Sequence, residues 1–251
     1  MSTFANAAAV RAFRLIELLA RSETPLSLAE IVAHIDLPKQ TVYRLLKQLE
    51  GAQLVTRSGP NRDYECSVRV RRMAVDLLMT AGPAAARRAA LTNLAQTVEQ
   101  TCNLAMSSGE EVIYLDRAEV NWSAPYDLDA GSRVPFHCTS SGKALLSFMP
   151  KPQREHLVRQ LSLRRYTPNT ITDTTQLLRE LRAIRRRRYS VNDSEHRRGV
   201  IAIAAPVMIN KRRACAAIAI QTSNVDTTTD DLLDYLPALQ ECAERMARTF
   251  L

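Results

Sequence analysis

Apolar positions recur with a helical period through the first third of the chain. Val10, Phe13, Ile16 and Ala20 form one stripe and predict a helix over 7–21, closed by Thr24-Pro25. Ser27, with Glu30 three residues on, fits a capping box opening a second helix, Leu28–Ile35. Asp36-Leu37-Pro38 reads as a turn, and Pro38 suits the first position of a third helix, where its absent N–H would be unpaired anyway. In that helix Val42, Leu45, Leu46 and Leu49 keep the spacing of a buried stripe, and Gly51 reads as its stop. Gln40, Tyr43, Arg44 and Lys47 point the other way. The period then shortens in Leu54–Arg57 and Tyr64–Cys66, set around Ser58-Gly59-Pro60-Asn61, which predicts a β-hairpin. Three helices followed by a hairpin make a winged helix-turn-helix.

A further helix is expected over Val68–Met79, with Val68, Val75, Leu78 and Met79 apolar, ending at a domain boundary at Gly82-Pro83. Helices and strands then alternate. Helices are expected over 84–100, Ser140–Phe148, Lys151–Leu161 and 229–250. Another, capped by Thr172 or Asp173 and running to Arg187, buries Leu177, Leu181 and Ile184. Strands are expected at Asn103–Ser107 and Val112–Arg117, joined by Ser108-Gly109, and at Tyr189–Asn192, Val200–Met208 and Ala214–Thr222. The last two are nearly all apolar and belong in the middle of a sheet. The fold class is α+β in three parts: a winged helix-turn-helix over 1–67, a linker helix over 68–83 and an α/β domain over 84–251.

Composition narrows the function classes. With 251 residues, 46% of them hydrophobic, the chain is globular and carries a large core. No apolar run approaches the ~18 residues a membrane span requires, and MSTFANAAAV lacks the basic lead and apolar segment of a signal peptide. Five cysteines stand at 66, 102, 138, 215 and 242 without a CxxC pair, which fits a reduced, cytoplasmic protein better than a disulfide scaffold or zinc site. The net charge of +8 and pI near 9.5 favour a polyanionic partner. Residues 1–75 hold 11 Lys/Arg against 7 Asp/Glu, a net of +4. Much of the rest lies in the Arg182–Arg188 run, which ends a helix where cations suit the dipole and reads as a solvated face.

The outward side of the third helix is the strongest chemical signal. Lys39, Gln40 and Thr41 occupy its first turn, and Tyr43 and Arg44 follow one turn on. Gln pairs with adenine and Arg with guanine through two hydrogen bonds each, worth roughly 1–3 kcal/mol of discrimination per good pair. Lys39 and Lys47 suit phosphates. Arg57, Asn61 and Arg62 fall on the wing, within reach of phosphates or the minor groove. The bland alternative, a solvated face in a helical bundle, leaves the hairpin unexplained. One such reader covers one half-site, so a dimer is expected, with the linker helix a candidate for part of its interface.

In the second part, Thr139-Ser140-Ser141-Gly142-Lys143 only loosely suggests a phosphate loop: His137 fills the first glycine position and Ala144 follows the lysine. A polar loop entering a helix N-terminus fits better. Free N–H groups there, with the Ser140 and Ser141 hydroxyls, suit a small carboxylate, the alternative being plain capping by Thr139 or Ser140. His137, Cys138 and His196 invite a catalytic or metal reading, but no third orienting residue stands at a recognisable spacing. No catalytic residue, metal or cofactor is assigned.

Three motifs in order carry a resemblance. RAFRLIELLARSETPLSLAEIVAHIDLPKQTVYRLLKQLEGAQLV resembles the N-terminal domain of IclR-type transcriptional regulators. Gly131–Leu146 is similar to that family's "G…P.H.T..GKA.L" signature, and Tyr189–Met208 to its "GY..D..E...G…IAAPV" signature. The resemblance covers about residues 8–245. It implies a winged-helix reader joined by a linker helix to a GAF-like α/β effector-binding domain with an antiparallel sheet, assembled as a homodimer or dimer of dimers. By residue match it implies an effector pocket of Val134, Asn192, Val200, Ala202, Ala219 and Gln221 beside Ser140 and Ser141. Alternation puts Ala219 and Gln221 on one face, and a buried Gln221 needs a partner from a ligand, the backbone or water. The alanines leave room that hints at an aromatic effector. Arg188 replaces the family's usual glycine and Asn192 a common aspartate.

The expectation is a cytoplasmic regulator that binds a double-stranded DNA operator, its affinity set by a small organic or aromatic acid. A metabolic enzyme acting on a small acid, or a protein–protein adaptor built on the winged helix, are the rivals.

Overall fold

The computed structural model describes residues 7–80, 83–120, 128–225 and 227–250, without the side chains of 78–80 and 83. The chain divides into two compact units, 1–76 and 77–251.

In the first unit, α1 (Ala8–Arg21), α2 (Leu28–His34) and α3 (Lys39–Gly51) precede the hairpin β1 (Val55–Ser58) and β2 (Asp63–Cys66). The stripe that α1 buries is Leu15 and Leu19, flanked by half-buried Ala12 and Ile16. Val10 and Phe13 are 39% and 59% exposed, and Ala20 is exposed too, so the expected stripe is corrected by a rotation of the face. Positions 12, 15, 16 and 19 form a tighter i, i+3, i+4, i+7 set carrying two leucines, and it takes the core. The capping box on α2 is present: Ser27 Oγ accepts from Glu30 N–H at 3.3 Å, and the Ser27 N–H donates to Glu30 Oε2 at 2.8 Å.

Pro38 is the N-cap of α3 rather than its first residue. Gly51 does not stop the helix; Gln53 does. Gln53 takes the left-handed conformation (φ 58), its N–H donates to the Glu50 carbonyl at 3.0 Å, and Leu54 N–H reaches Leu49 at 2.8 Å. This double closure is a Schellman turn, with Leu54 packed back against the core. Leu26 pairs with Tyr64 through two backbone hydrogen bonds of 2.9 and 2.8 Å, which ties the hairpin to the helices. α4 (Val68–Thr80) follows, with Val70 and Val75 buried and Val68 68% exposed. The side chains of the expected apolar positions Leu78 and Met79, and the Gly82 boundary, lie outside what is described. α4 crosses the division between the units.

The second unit contains α5 (Pro83–Val98), β3 (Thr101–Ser108), β4 (Glu111–Ala118), β5 (Arg133–Pro135), α6 (Ser140–Ser147), α7 (Lys151–Gln160) and α8 (Thr174–Arg187). β6 (Ser190–Asp193), β7 (Val200–Met208), β8 (Ala214–Ser223), a 3-10 turn at Asp231–Tyr235 and α9 (Leu236–Ala247) complete it. The strands form one antiparallel sheet in the order β5-β4-β3-β8-β7-β6, so the two most apolar strands are internal. Along β7 and β8, alanine and isoleucine alternate. Ala204, Ala217 and Ala219 lie in the core cluster of α6, α7 and α8, which puts Ile203, Ile218 and Ile220 on the face toward α5 and α9. The short side chains make room for α6, whose eight residues are all buried.

Candidate functional site

The outward face of α3 is laid out as its sequence predicts. Val42, Leu45, Leu46 and Leu49 are at most 5% exposed, while Lys39, Gln40, Tyr43, Arg44 and Lys47 are exposed and Thr41 is half-buried. Gln40 and Arg44 have no hydrogen-bond or ion-pair partner among the described residues. Lys47 pairs with Glu50 at 3.3 Å. On the wing, Asn61 and Arg62 are exposed. Arg57 is differently placed: its Nε lies 3.3 Å from Glu50, and its guanidinium stacks 4.4 Å from the centre of the Tyr64 ring. It fastens the wing to the end of α3 and keeps only 23% of its side chain exposed.

In the second unit a cavity with an open mouth lies between the sheet and the N-terminus of α6. Of the residues expected in a pocket, Ser140, Asn192, Val200, Ala202, Ala219 and Gln221 line it. Val134 and Ser141 do not. Val134, opposite Val112 in the edge strand β5, is 1% exposed and belongs to the core under α6–α8. Ser141 is 1% exposed, turned into the packing around α6. Ala219 and Gln221, on one face of β8 by alternation, both line the cavity.

Asn103, Tyr114, Leu128, Thr139, His196 and Arg197 complete the lining. His196 and Thr139 were visible in sequence only as a doubtful acid–base group and as a cap. Asn103 and Tyr114 carried no signal, because their position depends on strand register. With them, eight of the twelve lining residues carry polar side chains.

The end of α6 at the cavity is built with care. Thr139 Oγ1 accepts from Gly142 N–H at 3.2 Å and donates to the Pro135 carbonyl at 2.7 Å. Gly142 has no room for a side chain: a Cβ there would sit 2.6 Å from the Phe136 Cα. Ser190 Oγ donates to the Ser140 carbonyl at 2.6 Å. The Gly142 N–H is thus taken by the Thr139 cap, and Thr139 and Ser140 bring the start of α6, the positive end of its dipole, to the cavity. At its other end, Arg154 and Arg185 donate to the Ser147 carbonyl at 3.3 and 2.9 Å. Between the ends, buried Lys143 pairs with buried Glu195. Burial drives the Glu195 carboxyl upward and Lys143 opposes it.

The residues that invited a catalytic reading are otherwise engaged. His137 Nε2 lies 2.9 Å from the Arg164 carbonyl, so that nitrogen carries the proton and donates. Burial pushes the Cys138 thiol up to about 12, leaving almost no thiolate at neutral pH. Burial holds His196 down to about 4, so its ring is neutral at the cavity. No hydrogen bond joins these three among the described residues, and no group of three metal-ligating side chains occurs there. No helix of the described residues is long and apolar enough to cross a membrane.

Comparison with known proteins is consistent along the whole chain. The helix-turn-helix domain profile of the IclR type matches residues 8–59, and "Bacterial transcriptional regulator IclR C-terminal" matches residues 79–248. The "Probable transcriptional regulator SauR" of Cupriavidus necator is 53% identical over 250 residues, covering 100% of this chain and 99% of that protein. The crystal structure of Thermotoga maritima IclR superposes with a TM-score of 0.64 at 25% identity, covering 95% of this chain and 96% of its own. The inducer-binding domain of a PobR double mutant from Acinetobacter, in complex with 3-hydroxybenzoic acid, gives 0.61 at 31% identity over 67% of this chain and 98% of its own. These relatives are regulators of transcription, which sets the metabolic-enzyme rival aside. The chain belongs to the IclR family, DNA-binding transcriptional regulators with an N-terminal helix-turn-helix and a C-terminal α/β domain.

Proposed function

We propose that the protein reads a DNA operator through Lys39, Gln40, Thr41, Tyr43, Arg44 and Lys47 of α3, with Arg62 on the wing and Arg57 bracing it. A small organic or aromatic acid held in the cavity at Ser140 changes the operator affinity. The protein works in the cytoplasm as a homodimer or dimer of dimers, each protomer reading one half-site. The observation that carries this reading is the outward face of α3, polar and basic with Gln40 and Arg44 unpaired among the described residues; in the second unit, an open-mouthed cavity at a helix N-terminus suits an acid. The aromatic acid bound by the PobR domain supports the acid class. Coupling between the two sites is worth ~1–3 kcal/mol in typical regulators.

The test is Arg44→Ala, measured by competition between operator and random duplex. Loss of one bidentate base contact lowers specific affinity by about 1–3 kcal/mol and leaves non-specific affinity nearly unchanged. An equal loss on both duplexes assigns Arg44 to phosphate and removes base reading from this position.

A further inference from the structure

The sheet wall of the cavity presents groups whose orientation is fixed from behind. β3 and β4 pair with a bulge between Leu104 and Ala105: Ala105 faces Tyr114, Leu104 faces Asp116, and Leu115 is skipped. The skipped residue reverses the alternation along β4, so Arg117 comes opposite Asn103 on the wall that also carries Tyr114. Arg117 Nη1 donates to Asn103 Oδ1 at 3.2 Å, and Arg117 is itself held by Glu119. With its oxygen engaged, the group that Asn103 has left to offer the cavity it lines is its NH2, a pure donor. Tyr114 is only 5% exposed, lines the same wall and has no hydrogen-bond partner for its hydroxyl among the described residues. Gln221 on β8 also lines the cavity without a side-chain partner among the described residues. Polar groups therefore enter the cavity from the α6 N-terminus, from the sheet and, with His196 and Arg197, from the segment between β6 and β7, with Val200, Ala202 and Ala219 alongside.

We propose that the effector is a two-ended acid. Its carboxylate sits on the first turn of α6, and a second oxygen function, a hydroxyl or another carboxylate, takes the Asn103 amide and the Tyr114 hydroxyl. Asn103 and Tyr114 are the residues that select for the second end, and Arg117 is a positioning residue that keeps the Asn103 donor forward. The proposal rests on the acid-effector reading and adds the chemistry of the far end. A site that hydrogen-bonds a substrate group rejects the analogue lacking it, because its own buried polar groups are then stranded.

Two matched pairs test this by calorimetry on the full chain: benzoate against 4-hydroxybenzoate, and butyrate against succinate. The two-ended member of at least one pair binds the wild type about tenfold or more tighter. In Tyr114→Phe, which removes one oxygen, and in Asn103→Ala, checked for unchanged melting, that advantage falls to roughly threefold or less as the two-ended acid weakens. Equal binding within both pairs, or an advantage that survives both substitutions, overturns the proposal while leaving an acid effector in place. Failure of all four acids to bind at millimolar concentration overturns it as well. If operator affinity also ignores them, the acid-effector reading falls with it.

Discussion

Arg188 shows what one residue can hold in an unfavourable conformation. It caps α8 with φ 65 and ψ 20, a left-handed position that an L side chain occupies at a cost of roughly 1–2 kcal/mol. Its N–H still reaches the Ile184 carbonyl at 2.7 Å, and its guanidinium lies 5.3 Å from the centre of the Phe148 ring. The turn that a glycine would make is thus kept without the glycine. Arg188→Gly relieves the strain and gives up the stacking, so a net gain of about 0.5–1 kcal/mol is expected as a higher urea midpoint. His196 adds a pH dependence. Burial, helped by the charge of Arg197, puts its folded pKa at about 4, below the unfolded value near 6.5. Between those values the unfolded chain binds more protons, so this group's contribution to stability is lost as pH falls through that window and is flat below it. His137 is lowered in the same direction. His196→Asn should shrink the drop in urea midpoint between about pH 7.5 and about pH 5; an unchanged drop assigns it to other groups.

Elements were legible where local chemistry decides them and obscure where register or competition does. The Ser27 box on α2 was plain in four residues because capping is local. Ser27→Ala removes the bond to Glu30 N–H, and a loss of ~1 kcal/mol in denaturant unfolding of the N-terminal unit is expected. Two apolar stripes overlap on α1, and only packing chooses between them. Gly51 looked like a stop, yet the left-handed residue is Gln53, since the turn is set by where Leu54 must re-enter the core. β5, three residues long, is too short for periodicity to register. The apolar character of β7 and β8 was clear, but its consequence, alanine toward α6 and isoleucine toward α9, follows only from the sheet. The same limit hid half of the cavity. Ser140, Asn192, Val200 and Ala202 stand in recognisable motifs, whereas Asn103 and Tyr114 reach the wall through a bulge that no local pattern announces.

At the scale of the whole chain, two units with separate cores carry the two proposed binding surfaces, 1–76 with α3 and 77–251 with the cavity. Two cores need not melt together, so unfolding need not be two-state. Each ligand stabilises the unit that binds it by RT ln(1 + [L]/Kd), about 2.7 kcal/mol at a hundredfold excess over Kd. Operator DNA should therefore raise the melting of the N-terminal unit, and a bound acid that of the C-terminal unit, seen by scanning calorimetry with each ligand alone. A regulator requires more than this. If the acid alters operator affinity by some factor, linkage demands that the operator alter acid affinity by the same factor. With both ligands present, the two stabilisations should depart from simple addition by that coupling, ~1–3 kcal/mol, and acid titrations with and without operator should give the same ratio. Exact addition, with acid affinity blind to DNA, would leave two independent binding units on one chain and no switch between them.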